Sequence, residues 1–128
     1  MDALLIVDFQ NDFCPGGALP VPAGDRIADA LDPLLDRFDL VIATRDWHPP
    51  DHGSFRGVQV DPARWRGSDP PGIWPPHCVQ GTEGAELHPR LDRSRLHIVI
   101  DKGQDPMSQG YSAFQDSPLA ALLRERGV

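Results

Sequence analysis

Three short, nearly continuous apolar runs punctuate the chain: Ala3 to Val7, Leu40 to Thr44 and Leu96 to Ile100. Runs of this length without strict alternation are the pattern of strands covered on both faces, as in parallel sheets. Between the first two lies a stretch with helical spacing. Ile27, Leu31, Leu34, Leu35 and Phe38 share one face, and Asp25 is placed to cap its start. Pro33 falls inside this helix and predicts a kink or a late start, because proline has no N–H and crowds the preceding turn. A second helix is predicted over Ser117 to Arg126. Ser117 is its N-cap, Pro118 its first helical residue, Leu119, Leu122 and Leu123 its apolar face, and Gly127 its terminator. Strand, helix, strand with short connections implies a right-handed crossover. The predicted fold class is therefore α/β, a three-layer α-β-α domain on a parallel sheet.

The segment from 45 to 95 breaks this alternation. It is rich in Pro, Gly, Asp and Arg and has no strong period. A connection that long inside a compact domain is usually functional. At 128 residues the chain is long enough for one domain with a core and too short for two. A further strand is expected after Gly127, so residues 1–128 read as a single domain that is incomplete at its C-terminus, with an apolar sheet edge open to another segment or to a second copy of the chain.

Charge and composition narrow the partners. The net charge of −7 argues against nucleic acid or an anionic membrane. No stretch approaches the roughly 20 apolar residues of a membrane span. Met1 to Asp8 reads as a strand rather than a signal peptide, which leaves Cys14 and Cys78 as reduced thiols and the cytoplasm as the expected compartment. Lys102 is the only lysine among twelve basic residues, and it stands at the end of a predicted strand. A lysine differs from arginine in being a compact charge whose pKa moves readily on burial.

The chemistry concentrates where strands end. Arg45-Asp46-Trp47-His48-Pro49-Pro50-Asp51-His52 follows the second apolar run, and Trp74-Pro75-Pro76-His77-Cys78 adds another imidazole. Open parallel sheets place ligands outside the carboxyl ends of their strands. Asp and His together suit a divalent transition metal, and Asp46, His48, His77 and His52 are the candidate ligands. Zinc, iron and manganese all fit such a set, zinc slightly best. Asp8 ends the first strand as Lys102 ends the third, so an acid and an amine converge on the same edge as a proton-transfer pair. His88 and His97 have no such context. Trp47 is expected to pack beneath the metal loop, and Trp65 with Arg64 and Arg66 to lie in solvated loop.

Asp8-Phe9-Gln10-Asn11-Asp12-Phe13, Arg45-Asp46-Trp47-His48-Pro49, Trp74-Pro75-Pro76-His77-Cys78-Val79 and Asp101-Lys102-Gly103 resemble, in order, the nicotinamidase branch of the isochorismatase-like cysteine hydrolases. The resemblance implies hydrolysis of nicotinamide to nicotinate and ammonia. It implies Asp8 as general base and Lys102 as the lysine that completes the triad. It implies Asp46, His48 and His77 as metal ligands, with His52 in or near the same shell. Phe13, Trp74 and Tyr111 then form the pocket for the pyridine ring of a small-molecule substrate, nicotinamide or an analogue. In this family the nucleophilic cysteine lies in a Gly-x-Ala-Thr-Asp-x-Cys segment after the next strand. The resemblance places that segment beyond Val128 and leaves Cys14 and Cys78 without a catalytic role. The alternatives are a metal- or pyridine-binding fragment without catalysis, or a related hydrolase of another amide.

Overall fold

The run that follows Asp39 forms the middle of the sheet. In the computed structural model, which describes residues 1–128, strands β1 (Ala3–Val7), β2 (Leu40–Asp46) and β3 (Ile98–Lys102) are parallel and pair in the order β1-β2-β3. Residues 40–44 of β2 are all buried, whereas Val7 of β1 and Val99 of β3 are exposed at the two edges. Side chains alternate between the faces with the pleat. Val41 and Ala43 join Ile6, Ala28, Leu35, Phe9, Leu87 and Leu91 on one face, and Leu40 and Ile42 join Ile100, Ala113 and Leu119 on the other. Helix α1 (Ile27–Leu35) thus covers the first face and helix α2 (Leu119–Glu125) the second, which gives the three layers. No helix is long and apolar enough to cross a membrane.

The strands differ from expectation at their ends. β2 runs on through Arg45 and Asp46, and β3 is shifted to begin at Ile98 rather than Leu96 and to end at Lys102. The shift has a local cause: Leu96 closes a 3-10 turn over Arg93–Arg95, and the His97 ring takes the Val41 N–H at 3.0 Å, so the ladder starts two residues later, at Ile98. The late polar residues belong to the sheet because they pair with one another. Arg45 faces Asp101 and Asp46 faces Lys102 in register.

Both helices form, with altered starts. Asp25 does not cap α1. It lies in a 3-10 turn over Gly24–Arg26, and the helix begins at Ile27 with no side-chain cap. Its buried face is Ala28, Leu31 and Leu35, while Ile27 is exposed, and the helix runs through Pro33. In α2, Pro118 is the N-cap and the Ser117 hydroxyl accepts the Leu119 N–H at 3.1 Å. Gly127 ends it at φ +72°, with Gly127 N–H to Arg124 O at 3.1 Å and Val128 N–H to Leu123 O at 3.0 Å. That crossed pair of bonds requires a left-handed residue, the conformation in which glycine carries no Cβ penalty.

The long connection is held by backbone bridges rather than by regular elements. His48 pairs with Val79, Phe55 with Trp74, and Gln10 with Leu87. Under it lies an aromatic packing centre in which His52 is fully buried, 4.1 Å from the His48 ring and edge-on to Trp65 at 6.3 Å. Trp65 is therefore a packing residue and not solvated loop, with its indole N–H on Asp69 O at 2.9 Å.

Leu119 is the largest fully buried side chain that α2 contributes. Leu119→Ala is expected to lower the unfolding free energy by about 2–5 kcal/mol, measured by urea denaturation. A loss under about 1 kcal/mol would mean that α2 does not carry its layer. His52 gives a pH dependence. Burial, then the neighbouring His48, pushes its pKa down from 6.5 to about 4. Since the unfolded chain then binds the proton more tightly, this contribution is full above about pH 6.5 and is lost as pH falls towards 4. The metal-free chain should lose up to about 3 kcal/mol over that window, and a His52→Asn variant should show a shallower fall by denaturant titration at each pH.

Candidate active site

Three strand ends meet at one edge of the sheet. Asp8 follows β1 immediately, and Asp46 and Lys102 are the last residues of β2 and β3. Asp8 adopts φ +53°, a conformation disfavoured for a side chain with a Cβ. Thr44 holds it there: the Asp8 N–H donates to Thr44 O at 3.1 Å, and the Thr44 hydroxyl donates to Asp8 Oδ1 at 2.7 Å. The Lys102 ammonium lies between the carboxylates, 2.8 Å from Asp8 Oδ2 and 2.5 Å from Asp46 Oδ1. It is buried, at 5% exposure.

These charges divide the protons unevenly. Burial opposes the Lys102 charge, but Asp46 and Asp8 outweigh it and raise the lysine pKa. Burial would also raise Asp46, yet the His48 hydrogen bond and the Lys102 ammonium hold it at about 2. Asp8 is the group left with a raised pKa, through burial and then the Asp46 charge, against which Lys102 is only a partial offset. A carboxyl with raised proton affinity suits a group that takes and returns a proton.

The second oxygen of Asp46 faces two imidazoles. Oδ2 is 3.4 Å from His48 Nε2 and 3.9 Å from His77 Nε2, and the three donor atoms lie within 4.8 Å of one another. His48 Nδ1 is 2.7 Å from Gly103 O, and His77 Nδ1 is 2.7 Å from Pro75 O. A carbonyl can only accept, so in each ring Nδ1 carries the proton and Nε2 presents its lone pair to the centre. A divalent ion with bonds of about 2.0–2.2 Å separates tetrahedral ligand atoms by about 3.3–3.6 Å. The 3.4 Å separation falls in that range and the 3.9 Å one is slightly wider, so a small inward movement of His77 would let the three donors hold such an ion, and all three line the cavity. Gly103 matters here: its φ is +68°, and a Cβ on it would stand 2.5 Å from the His48 ring.

His52 lies outside this trio. Its Nδ1 is 2.7 Å from the Ser54 hydroxyl, and its Nε2 is buried without a hydrogen-bond partner.

A cavity of about 270 Å³ opens over the centre. Asp8, Asp46, His48, His77 and Lys102 line it, as do Phe13, Trp74 and Tyr111. Phe13 also packs against the His77 ring at 5.6 Å. No sulfur reaches it. Cys14 and Cys78 are buried elsewhere, and burial raises both thiols. Trp47 stacks under the Arg45 guanidinium at 4.0 Å and does not line the cavity.

Several contributors carry no signal of their own in the sequence. Gln10 is fully buried and grips Asp46 on both sides, accepting its N–H and donating to its carbonyl, each at 2.8 Å. Asp12 Oδ2 accepts the Cys78 N–H at 2.7 Å and so fixes the turn that carries His77. Leu19, Ser54 and Gln109 complete the wall. Gln10, Asp12 and Gly103 lie in the blocks that carry the family resemblance, but nothing in their spacing shows what they hold.

Comparison with known proteins gives the chain a family. The chain matches the Isochorismatase domain family over residues 2–128. The nicotinamidase of Escherichia coli strain K12 is 49% identical over 123 residues, covering 90% of this chain and 57% of that protein. Among solved structures, the pyrazinamidase of Pyrococcus horikoshii in complex with zinc has a TM-score of 0.81 and 42% identity, covering 98% of this chain and 65% of that one. PnC1 from L. infantum in complex with nicotinate has a TM-score of 0.85 and 38% identity, covering all of this chain and 63% of that one. The chain thus spans between 57% and 65% of the length of these relatives. It belongs to the isochorismatase family, beside its nicotinamidase and pyrazinamidase members.

Proposed function

We propose that this chain forms the metal and proton-transfer half of a nicotinamidase-type amide hydrolase, which converts nicotinamide and water to nicotinate and ammonia. The observation that carries the reading is the meeting, in one cavity, of the Asp8–Lys102–Asp46 cluster with the Asp46, His48, His77 donor set under the aromatic side chains of Phe13, Trp74 and Tyr111. The complexes of relatives with zinc and with nicotinate support it.

In this reading Asp46, His48 and His77 hold one divalent ion, zinc in preference to iron or manganese. The bound ion supplies a Lewis-acidic anchor for the pyridine nitrogen. Phe13 and Trp74 hold the ring, and charge interactions around the amide strengthen as the bound ring displaces water. The nucleophile is a thiol from outside residues 1–128, because neither Cys14 nor Cys78 lines the cavity. Asp8 takes the thiol proton as the sulfur attacks the amide carbonyl, and passes it to the departing nitrogen, which leaves as ammonia. Water then cleaves the thioester to nicotinate and returns the thiol. Lys102 stays protonated throughout and keeps Asp8 oriented.

Two measurements test this. After loading with zinc and mild dialysis, elemental analysis should find about one zinc per chain, since a single donor set is present. His48→Ala should abolish retention, and equal zinc content in both proteins would contradict the assignment. The 128-residue chain should release no ammonia from nicotinamide above the uncatalysed background. Turnover by the chain that survives both Cys14→Ala and Cys78→Ala would refute the external thiol and the need for cysteine chemistry. Turnover lost with one of them would place the nucleophile there.

A further inference from the structure

The aromatic wall of the cavity is tied down by a carboxylate that does not line it. The Trp74 indole N–H donates to the Tyr111 hydroxyl at 3.0 Å, and that hydroxyl donates to Asp69 Oδ2 at 2.8 Å. Gln109 Nε2 donates to the same oxygen at 2.9 Å, while Gln109 Oε1 accepts the Ser68 N–H at 2.9 Å. The backbones beside them pair as well, with Arg66 N–H on Met107 O and Gln109 N–H on Arg66 O, both at 2.9 Å. Asp69 therefore joins its own loop, the loop carrying Trp74 and the loop carrying Gln109 and Tyr111.

The direction of this chain of bonds is fixed by what each group can do. An indole N–H only donates, an ionised carboxylate only accepts, and a phenol has one proton and lone pairs. The Tyr111 proton must point at Asp69 so that its oxygen can receive Trp74. Bonds to a charged acceptor are about twice as strong as neutral ones, which matters at a mouth where Tyr111 is 51% exposed and water competes. The same direction leaves Tyr111 no proton for a ligand. Its part in the cavity is that of a wall.

We propose that Asp69 is a positioning residue that sets the aromatic mouth of the cavity, acting on the bound ring through Tyr111 and Trp74 without touching it. Its ligand consequence rests on the reading of the cavity as a pyridine site, while the tie itself does not. Two readouts separate these. In the ligand-free chain, the ¹⁵N-indole resonance of Trp74, assigned by its loss in Trp74→Phe, should move alike in Asp69→Ala and Tyr111→Phe. In the zinc-loaded chain, each substitution should weaken nicotinate binding by about 5- to 20-fold, measured by calorimetry. The double variant should be no weaker than either single one, because both remove the same linkage. Asp69→Asn, which keeps an acceptor oxygen, should recover part of the loss. An unmoved Trp74 resonance in Asp69→Ala would overturn the proposal, as would losses that multiply in the double variant. If the unsubstituted chain binds no nicotinate, the pyridine reading fails, and the Trp74 resonance alone decides the role of Asp69.

Discussion

A lysine ammonium buried between two carboxylates is the constraint around which this molecule is arranged. Lys102 reaches Asp8 and Asp46 at once, and the three residues stand at the ends of three neighbouring parallel strands. Taking such charges out of water costs several kcal/mol per ion, and removing one partner leaves an uncompensated buried charge. The cluster is thus poor as a source of stability and strong as a source of specificity. It tolerates one register of β2 against β3, in which Asp46 faces Lys102. One position back on the opposite face, Arg45 and Asp101 form a second ion pair at 2.6 Å. A slip of β2 by one residue would move each of its charges to the wrong face, setting the Arg45 guanidinium where Asp46 now faces Lys102.

Asp46 carries the constraint into the site. One oxygen is spent on the lysine and the other faces His48 and His77, so the group that fixes the register also orients the donor set. Its backbone is clamped by Gln10, a fully buried side chain with no other neighbours to serve than Asp46 and Ala85. The imidazoles are set from outside by the carbonyls of Gly103 and Pro75, and the His48–Val79 bridge brings His77 to His48 across the long connection. The segment between 45 and 95 has no regular core of its own. It is ordered by strand-end chemistry and by aromatic packing around His52 and Phe55.

The parts of this that could be read from the sequence were those with a period or a chemical type. The apolar runs fixed three strands and two helices, because burial on a pleated or helical surface leaves a spacing. Asp8, Asp46, His48, His77 and Lys102 could be picked out because acids, imidazoles and a lone lysine at strand ends are costly unless used. Strand limits were misplaced where polar residues stayed in the ladder: Asp46 looked as if it followed its strand and is the last residue of it, whereas Lys102 ends its strand as its position suggested. Asp25 looked like a cap and is not one, since the preceding turn is 3-10. The positioning side chains were invisible. Nothing in the spacing of Gln10, Asp12 or Asp69 distinguishes them from ordinary polar residues, because their partners lie 36, 66 and about 40 positions away.

Because Lys102 is the only lysine in the chain, its ammonium can be observed alone. Selective ¹⁵N-lysine labelling gives a single side-chain nitrogen whose shift reports its protonation as pH is raised. The account predicts an ammonium that stays protonated beyond the free-lysine value of about 10.4, and whose signal in Asp8→Asn or Asp46→Asn titrates at lower pH. A nitrogen that loses its proton at or below the free-lysine value in the unsubstituted chain would contradict the buried carboxylate–ammonium–carboxylate cluster on which the fold's register and the site both depend.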